Sequence, residues 1–167
     1  MVESERVLAG KTALVTGAGR GLGRAFAERL AAAGCAVGLH GMREHGPAEY
    51  GEGTTLTDTA GEVGQQFGVE TISVLGDLTA NSDVQRVVTT VTRELGPIDI
   101  LVHSAGIAEL EPADEVTWEV WERTFAVNVH GTFHMIYAVK DEMIERGYGR
   151  IVTLSSIAGL RTLATIL

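Results

Sequence analysis

The feature that most constrains this chain is an alternation that runs along its whole length. Short apolar or β-branched runs, each bounded by glycine, proline or charge, are separated by longer stretches of helical period. Five runs read as strands, roughly at 12–16, 36–40, 71–75, 98–103 and 150–155. Four stretches read as helices, at about 22–33, 58–67, 82–95 and 117–146, the last carrying a break or bend. Successive strands joined through a helix run parallel, so the pattern predicts an α/β protein built around a doubly wound parallel sheet. Parallel strands covered on both faces read as continuous apolar runs, and Ile98-Asp99-Ile100-Leu101-Val102 and Ile151-Val152-Thr153-Leu154 come close. Val84, Val87, Val88, Val91 and Leu95 recur at spacings of three and four, which makes one core-facing stripe.

A chain of 167 residues, 45% hydrophobic, supports one sizeable core, so residues 1–167 are expected to form a single domain. The formal charge of −9 leaves no basic surface for phosphate neutralisation, which argues against nucleic acid and anionic membranes as partners. No apolar run approaches the roughly 20 residues a membrane helix needs. The first ten residues mix Glu3, Glu5 and Arg6 with isolated apolar positions, unlike a signal peptide, and Cys35 is the single cysteine; a cytoplasmic location is expected. Gly41 to Thr57 has neither period and reads as a long loop after the second strand.

The strongest local signal is Thr16-Gly17-Ala18-Gly19-Arg20-Gly21-Leu22-Gly23, between a predicted strand and a predicted helix. Glycines there allow a tight turn and close backbone approach to a pyrophosphate, whose charge meets the free amides and dipole of the helix N-terminus. Arg24-Ala25 follows the last glycine where a P-loop would need lysine and then serine or threonine. The two arginines nearest the expected nucleotide ribose, Arg20 in the turn and Arg43 just past the second strand, could clamp a 2′-phosphate. No acidic residue stands at Gly41 to accept a ribose hydroxyl, so NADP is preferred over NAD. The histidines show no metal-ligand grouping, and no metal is expected.

This turn resembles the T-G-x-x-x-G-x-G fingerprint of the short-chain dehydrogenase/reductase family, and further resemblances follow in order. Gly76-Asp77-Leu78 is similar to the element lying near the adenine, and Ser104-Ala105-Gly106 to the end of the N-N-A-G motif. Asn128 matches the helix asparagine, and Ser155-Ser156 the strand end that delivers the catalytic serine. The resemblance implies a Rossmann-type fold with strand order 3-2-1-4-5. It implies a cofactor site of Gly17, Gly19, Arg20, Gly21, Leu22, Gly23, Arg43, Asp77, Leu78, Ser104, Ala105 and Gly106. Ser156 would be catalytic, with Ser155 as the alternative, and Asn128 would hold a water of the proton relay. His103 and Ser104 depart from the two family asparagines; His103 is expected to keep a lateral bond and not to act as a base.

The implied activity is hydride transfer between a nicotinamide and a small carbonyl or alcohol substrate. Gly131-Thr132-Phe133 and Gly149-Arg150-Ile151-Val152 are similar to the 3-oxoacyl-carrier-protein reductase branch. Homo-oligomers, formed through the two helices flanking the site, are common in the family. The family also places a tyrosine, with a lysine four residues on, after the fifth strand. Tyr50, Tyr137 and Tyr148 are followed at that spacing by Thr54, Asp141 and Val152, so no such pair is present. Loss of a general acid alone costs on the order of 10²–10⁴-fold. The sequence therefore reads as a fold incomplete at its C-terminus, truncated and inactive by itself. The alternatives are a non-catalytic dinucleotide-binding module and a non-functional truncation. The apolar tail from Leu160 to Leu167 is expected to lack anything to bury it.

Overall fold

Thr12–Thr16 (β1) is threonine, alanine, leucine and valine throughout, and all five residues are buried. A strand with no solvent face belongs at the centre of a sheet covered on both sides. The computed structural model, which describes residues 6–108, 112 and 114–159, places it there. Ala36–Gly41 (β2) lies on one side, with Thr71–Leu75 (β3) beyond it; Ile100–His103 (β4) and Arg150–Thr153 (β5) lie on the other. The order is β3-β2-β1-β4-β5, and every pairing is parallel. The expected Rossmann-type sheet is the observed one. The apolar tail from Leu160 lies outside the described residues.

Alternation along β1 divides the core. Ala13 and Val15 face Gly21–Ala32 (α1) and Leu56–Phe67 (α2), with Ala27, Ala31, Leu56 and Val63 in the cluster. Leu14 faces the opposite layer, which holds Val84, Val87 and Val91 of Asn81–Leu95 (α3) and Met135 and Val139 of Gly131–Glu145 (α5). The α3 stripe is thus core. Cys35 is buried as well, its thiol pushed up to about 11, chiefly by burial, and it packs as an apolar side chain.

Several boundaries differ from those read off the sequence, each for a local reason. Helix α2 begins at Leu56, two residues early, because the Thr55 side chain accepts from the Asp58 amide at 2.9 Å and caps it. Strand β4 begins at Ile100, not Ile98. The Asp99 carboxylate accepts from the Thr12 amide at 3.2 Å and from Arg146 Nη1 at 2.7 Å, and Arg146 Nη2 donates to Ile98 O at 2.6 Å. Burial acts most strongly on Asp99 and would raise its pKa, but Arg146 and the Thr12 amide together hold it below the usual carboxylate range. These bonds tie the start of β1, the start of β4 and the end of α5. The expected break in the long helix is a π-turn, Ala126–His130, between Trp118–Phe125 (α4) and α5. Strand β5 ends at Thr153, and all four of its residues are exposed.

Candidate functional site

The carboxyl ends of β1 to β4 open onto one cavity of about 740 Å³. In open parallel sheets this is where ligands bind, at the point where strand order reverses, here between β1 and β4. All twelve residues expected at a cofactor site line it: Gly17, Gly19, Arg20, Gly21, Leu22 and Gly23 from the turn, Arg43 beyond β2, Asp77 and Leu78 after β3, and Ser104, Ala105 and Gly106 after β4.

Two glycines make the turn possible. Gly17 sits at φ 66°, and a Cβ there would lie 3.0 Å from the Ala105 backbone. A Cβ on Gly23 would stand 2.0 Å from Gly17 O, so no side chain fits where α1 returns beneath the turn. The turn is also stitched to its neighbours: the Ala18 amide donates to His40 O at 2.8 Å. Thr16 Oγ1 accepts from the Ser104 and Ala105 amides, each at 3.1 Å, and lies 3.1 Å from His103 Nδ1. With both lone pairs filled, the hydroxyl proton goes to Nδ1, which leaves His103 neutral with its proton on Nε2. Nε2 is buried without a partner. Burial pushes the imidazole down to about 4, with His40 adding to the shift. His103 thus carries the lateral bond in the interior of the protein. Thr16 is a tie that sequence reasoning did not single out, although it opens the motif.

Asn128 sits inside the π-turn. Its Oδ1 accepts from the Ile107 amide and its Nδ2 donates to Ile107 O, both at 2.9 Å. One acceptor and one donor of its amide therefore hold the 104–107 segment, and a Cβ on Gly106 would come within 3.2 Å of Oδ1. The extra residue in this turn of helix is what carries Asn128 to that segment. Asn128 and Ser156 are not among the residues lining the cavity, although Ala126, Val127 and Leu154 are. Ser156 follows β5, and its carbonyl accepts from the Gly159 amide at 3.1 Å. Asp77 accepts from the Thr79 amide at 2.9 Å and hydroxyl at 2.7 Å, closing the bend after β3, while its own amide donates to Asp83 at 2.8 Å. That bond, with Arg86, holds the Asp83 carboxyl below the usual range.

The segment read as a loop after β2 is ordered around the cavity. It contains a 3-10 turn, Ala48–Tyr50, and its neck is closed by Leu56 N donating to Glu44 O at 2.8 Å and Thr57 N to Glu44 Oε1 at 3.1 Å. Arg43 pairs with Glu49 at 2.8 Å, and the Arg20 guanidinium lies over the Tyr50 ring, 3.4 Å from its centroid. Glu52 Oε2 accepts from the Gly21 amide at 2.6 Å, at the start of α1. Carboxylates in an aperiodic segment leave no trace in hydrophobic pattern, and Glu49 and Glu52 escaped the sequence reading for that reason.

The site suits an anionic dinucleotide. A glycine turn admits close backbone approach, the first amide of α1 already holds a carboxylate oxygen, and three arginines, Arg20, Arg43 and Arg123, line the same cavity. Among the described residues no group of three potential metal ligands comes together, and no helix is long and apolar enough to cross a membrane.

Comparison with known proteins agrees with this fold. The short chain dehydrogenase family model matches residues 11–166. Sorbitol dehydrogenase of Cereibacter sphaeroides is 36% identical over 155 residues, covering 92% of this chain and 56% of that protein. D-threitol dehydrogenase of Mycolicibacterium smegmatis is 37% identical over 151 residues, covering 90% and 54%. The structure of NAD+-bound xylitol dehydrogenase superposes with a TM-score of 0.84 at 35% identity, covering 95% of this chain and 58% of that one. The chain spans a little over half the length of these relatives.

Proposed function

The chain belongs to the short chain dehydrogenase family, and from that premise we propose that it binds NADP(H) in the cavity at the carboxyl ends of β1–β4, for hydride exchange with a small carbonyl or alcohol substrate. NADPH, when bound, supplies the hydride that reduces a carbonyl carbon. The amides of the Gly17–Gly23 turn and the start of α1 hold the pyrophosphate. Arg20 and Arg43 hold the 2′-phosphate, each exchanging its present partner for it. Asp77 and Leu78 border the adenine, and Ser104 to Gly106 form the wall beneath the nicotinamide. Ser156 binds the substrate oxygen. Asn128 positions the 104–107 wall, and its remaining amide hydrogen and lone pair are available to a water of the proton relay.

The observation that carries this reading is the convergence of the twelve residues on one cavity, among them Gly21, whose amide already donates to a carboxylate. Relatives named for sorbitol and D-threitol make acyclic polyols and the matching ketoses the substrate class to test first, ahead of 3-oxoacyl thioesters. For these 167 residues, which contain no Y-x-x-x-K, the proposal is binding without turnover.

Fluorescence titration with NADPH and NADH, on the wild-type chain and on Arg43→Asp, tests the proposal. Saturable NADPH binding, tighter than NADH and weakened by Arg43→Asp, is expected. NADH binding as tight as NADPH, with no effect of Arg43→Asp, would overturn the NADP assignment. Absence of binding by folded protein would overturn the site.

A further inference from the structure

Three of the groups expected to read the cofactor's phosphates, the Gly21 amide, Arg20 and Arg43, are engaged by a single segment, residues 44–56. Glu44 closes its neck by accepting from the Leu56 and Thr57 amides, which makes the segment a self-contained loop of the Ω kind. It lies over the glycine turn. A Cβ on Gly19 would meet Pro47 Cγ at 3.1 Å and Leu56 Cδ1 at 3.3 Å. From this strap Glu52 reaches the Gly21 amide, Glu49 reaches Arg43, and Tyr50 covers Arg20. Arg24 of α1 anchors it by donating from Nη1 to Glu52 O at 3.1 Å, while its other nitrogens bind Glu28 and Glu62. Glu52 is exposed and stands between Gly51, at φ 70°, and Gly53, at φ 141°, two residues whose backbone conformations favour glycine.

We infer that this strap is a built-in competitor for the dinucleotide: the Glu52 carboxylate occupies the place of a pyrophosphate oxygen, and the Glu49 carboxylate that of a 2′-phosphate. The inference rests on the proposed cofactor site and adds to it a residue that sets affinity and a residue that sets selectivity. The Gly21 amide has a single hydrogen to donate, and the Glu49 carboxylate at Arg43 repels a second anion there, so a bound dinucleotide displaces both carboxylates. Glu52 then acts equally on NADPH and NADH, because both carry the pyrophosphate. Glu49 acts on NADPH alone, because only NADPH carries the 2′-phosphate. The Glu52 side chain is the part of the strap that turns aside, leaving the neck at Glu44 and the Arg24 bond to the Glu52 carbonyl in place.

The test is titration of the wild-type chain, Glu52→Gln and Glu49→Gln with NADPH and with NADH, joined to amide hydrogen exchange at Gly21 without nucleotide. Glu52→Gln is expected to tighten both nucleotides by about three- to tenfold, the worth of one exposed charge-assisted bond, and to speed exchange at Gly21. Glu49→Gln is expected to tighten NADPH and leave NADH as it was. Unchanged or weakened binding in Glu52→Gln, with Gly21 exchange also unchanged, overturns the inference while the cofactor site stands. Tightening of both nucleotides by Glu49→Gln overturns the selectivity role. Failure of the folded wild-type chain and of both variants to bind either nucleotide overturns the site itself.

Discussion

Strands β1 and β5 belong to one parallel sheet and are built from similar residues, yet every residue of β1 is buried and every residue of β5 is exposed. The difference lies in their neighbours. Strand β1 has a strand on each side and helices on both faces, whereas among the described residues β5 pairs with β4 alone and shows Ile151 and Val152 to solvent, with Leu154 exposed just beyond it. The same division separates the functional parts. The cofactor side is held by bonds between distant segments, from Thr16 to Ser104 and from Asn128 to Ile107, while Ser156 stands after the exposed edge. Sequence composition sets how apolar a strand is; topology sets whether that apolarity is used.

The sharpest way to break the buried half is Gly23→Ala, whose Cβ would meet Gly17 O at 2.0 Å. Loss of saturable NADPH binding and a stability loss of about 3 kcal/mol or more are expected, read by titration and urea unfolding. Asp99→Ala comes next. It strands the Thr12 amide and Arg146 at the foot of the sheet and is expected to cost about 3 kcal/mol in urea unfolding, with m unchanged.

The third prediction concerns pH. His103 is 3% exposed and its folded pKa lies at about 4 against an ordinary value of 6.5. Between those values the unfolded chain binds the proton and the folded chain does not. Stability is therefore full above about pH 6.5 and falls as pH drops toward 4, by on the order of 3 kcal/mol. His103→Asn is expected to flatten that part of the profile of unfolding free energy against pH. An unchanged slope in the variant would move the acid sensitivity elsewhere, with His40, also depressed by burial, the next group to replace. The smallest effect sharpens the contrast directly. Val15→Ala, at a fully buried position, is expected to cost about 2 kcal/mol, while Val152→Ala, at a position 49% exposed, costs less than about 0.5 kcal/mol.

Much of the sheet was legible because its signal is local. β-branched runs mark strands, the Val84–Val91 stripe marks a buried helix face, and glycines between a strand and a helix mark a turn that a side chain would block. What was not legible depends on the chain returning on itself. Nothing in the sequence around Glu52 says that its carboxylate meets Gly21, and nothing around Asp99 says that Arg146 will bond to it. A break in the 117–146 helix could be read, but not that it falls at Asn128 or that it is a π-turn, because the extra residue shows only in the backbone hydrogen bonds. The cofactor choice argued from Gly41 rested on residues beside β2, whereas the carboxylates that meet Arg43 and the glycine turn, Glu49 and Glu52, come from further along the strap.

The central claim is that these residues form a dinucleotide site on the buried half of the sheet, and amide hydrogen exchange with and without saturating NADPH tests it most directly. Added protection is expected in residues 17–23, 41–50 and 104–107, with β5 unchanged. Protection confined to β5 and the residues after it, or no change anywhere in folded protein, would contradict the account.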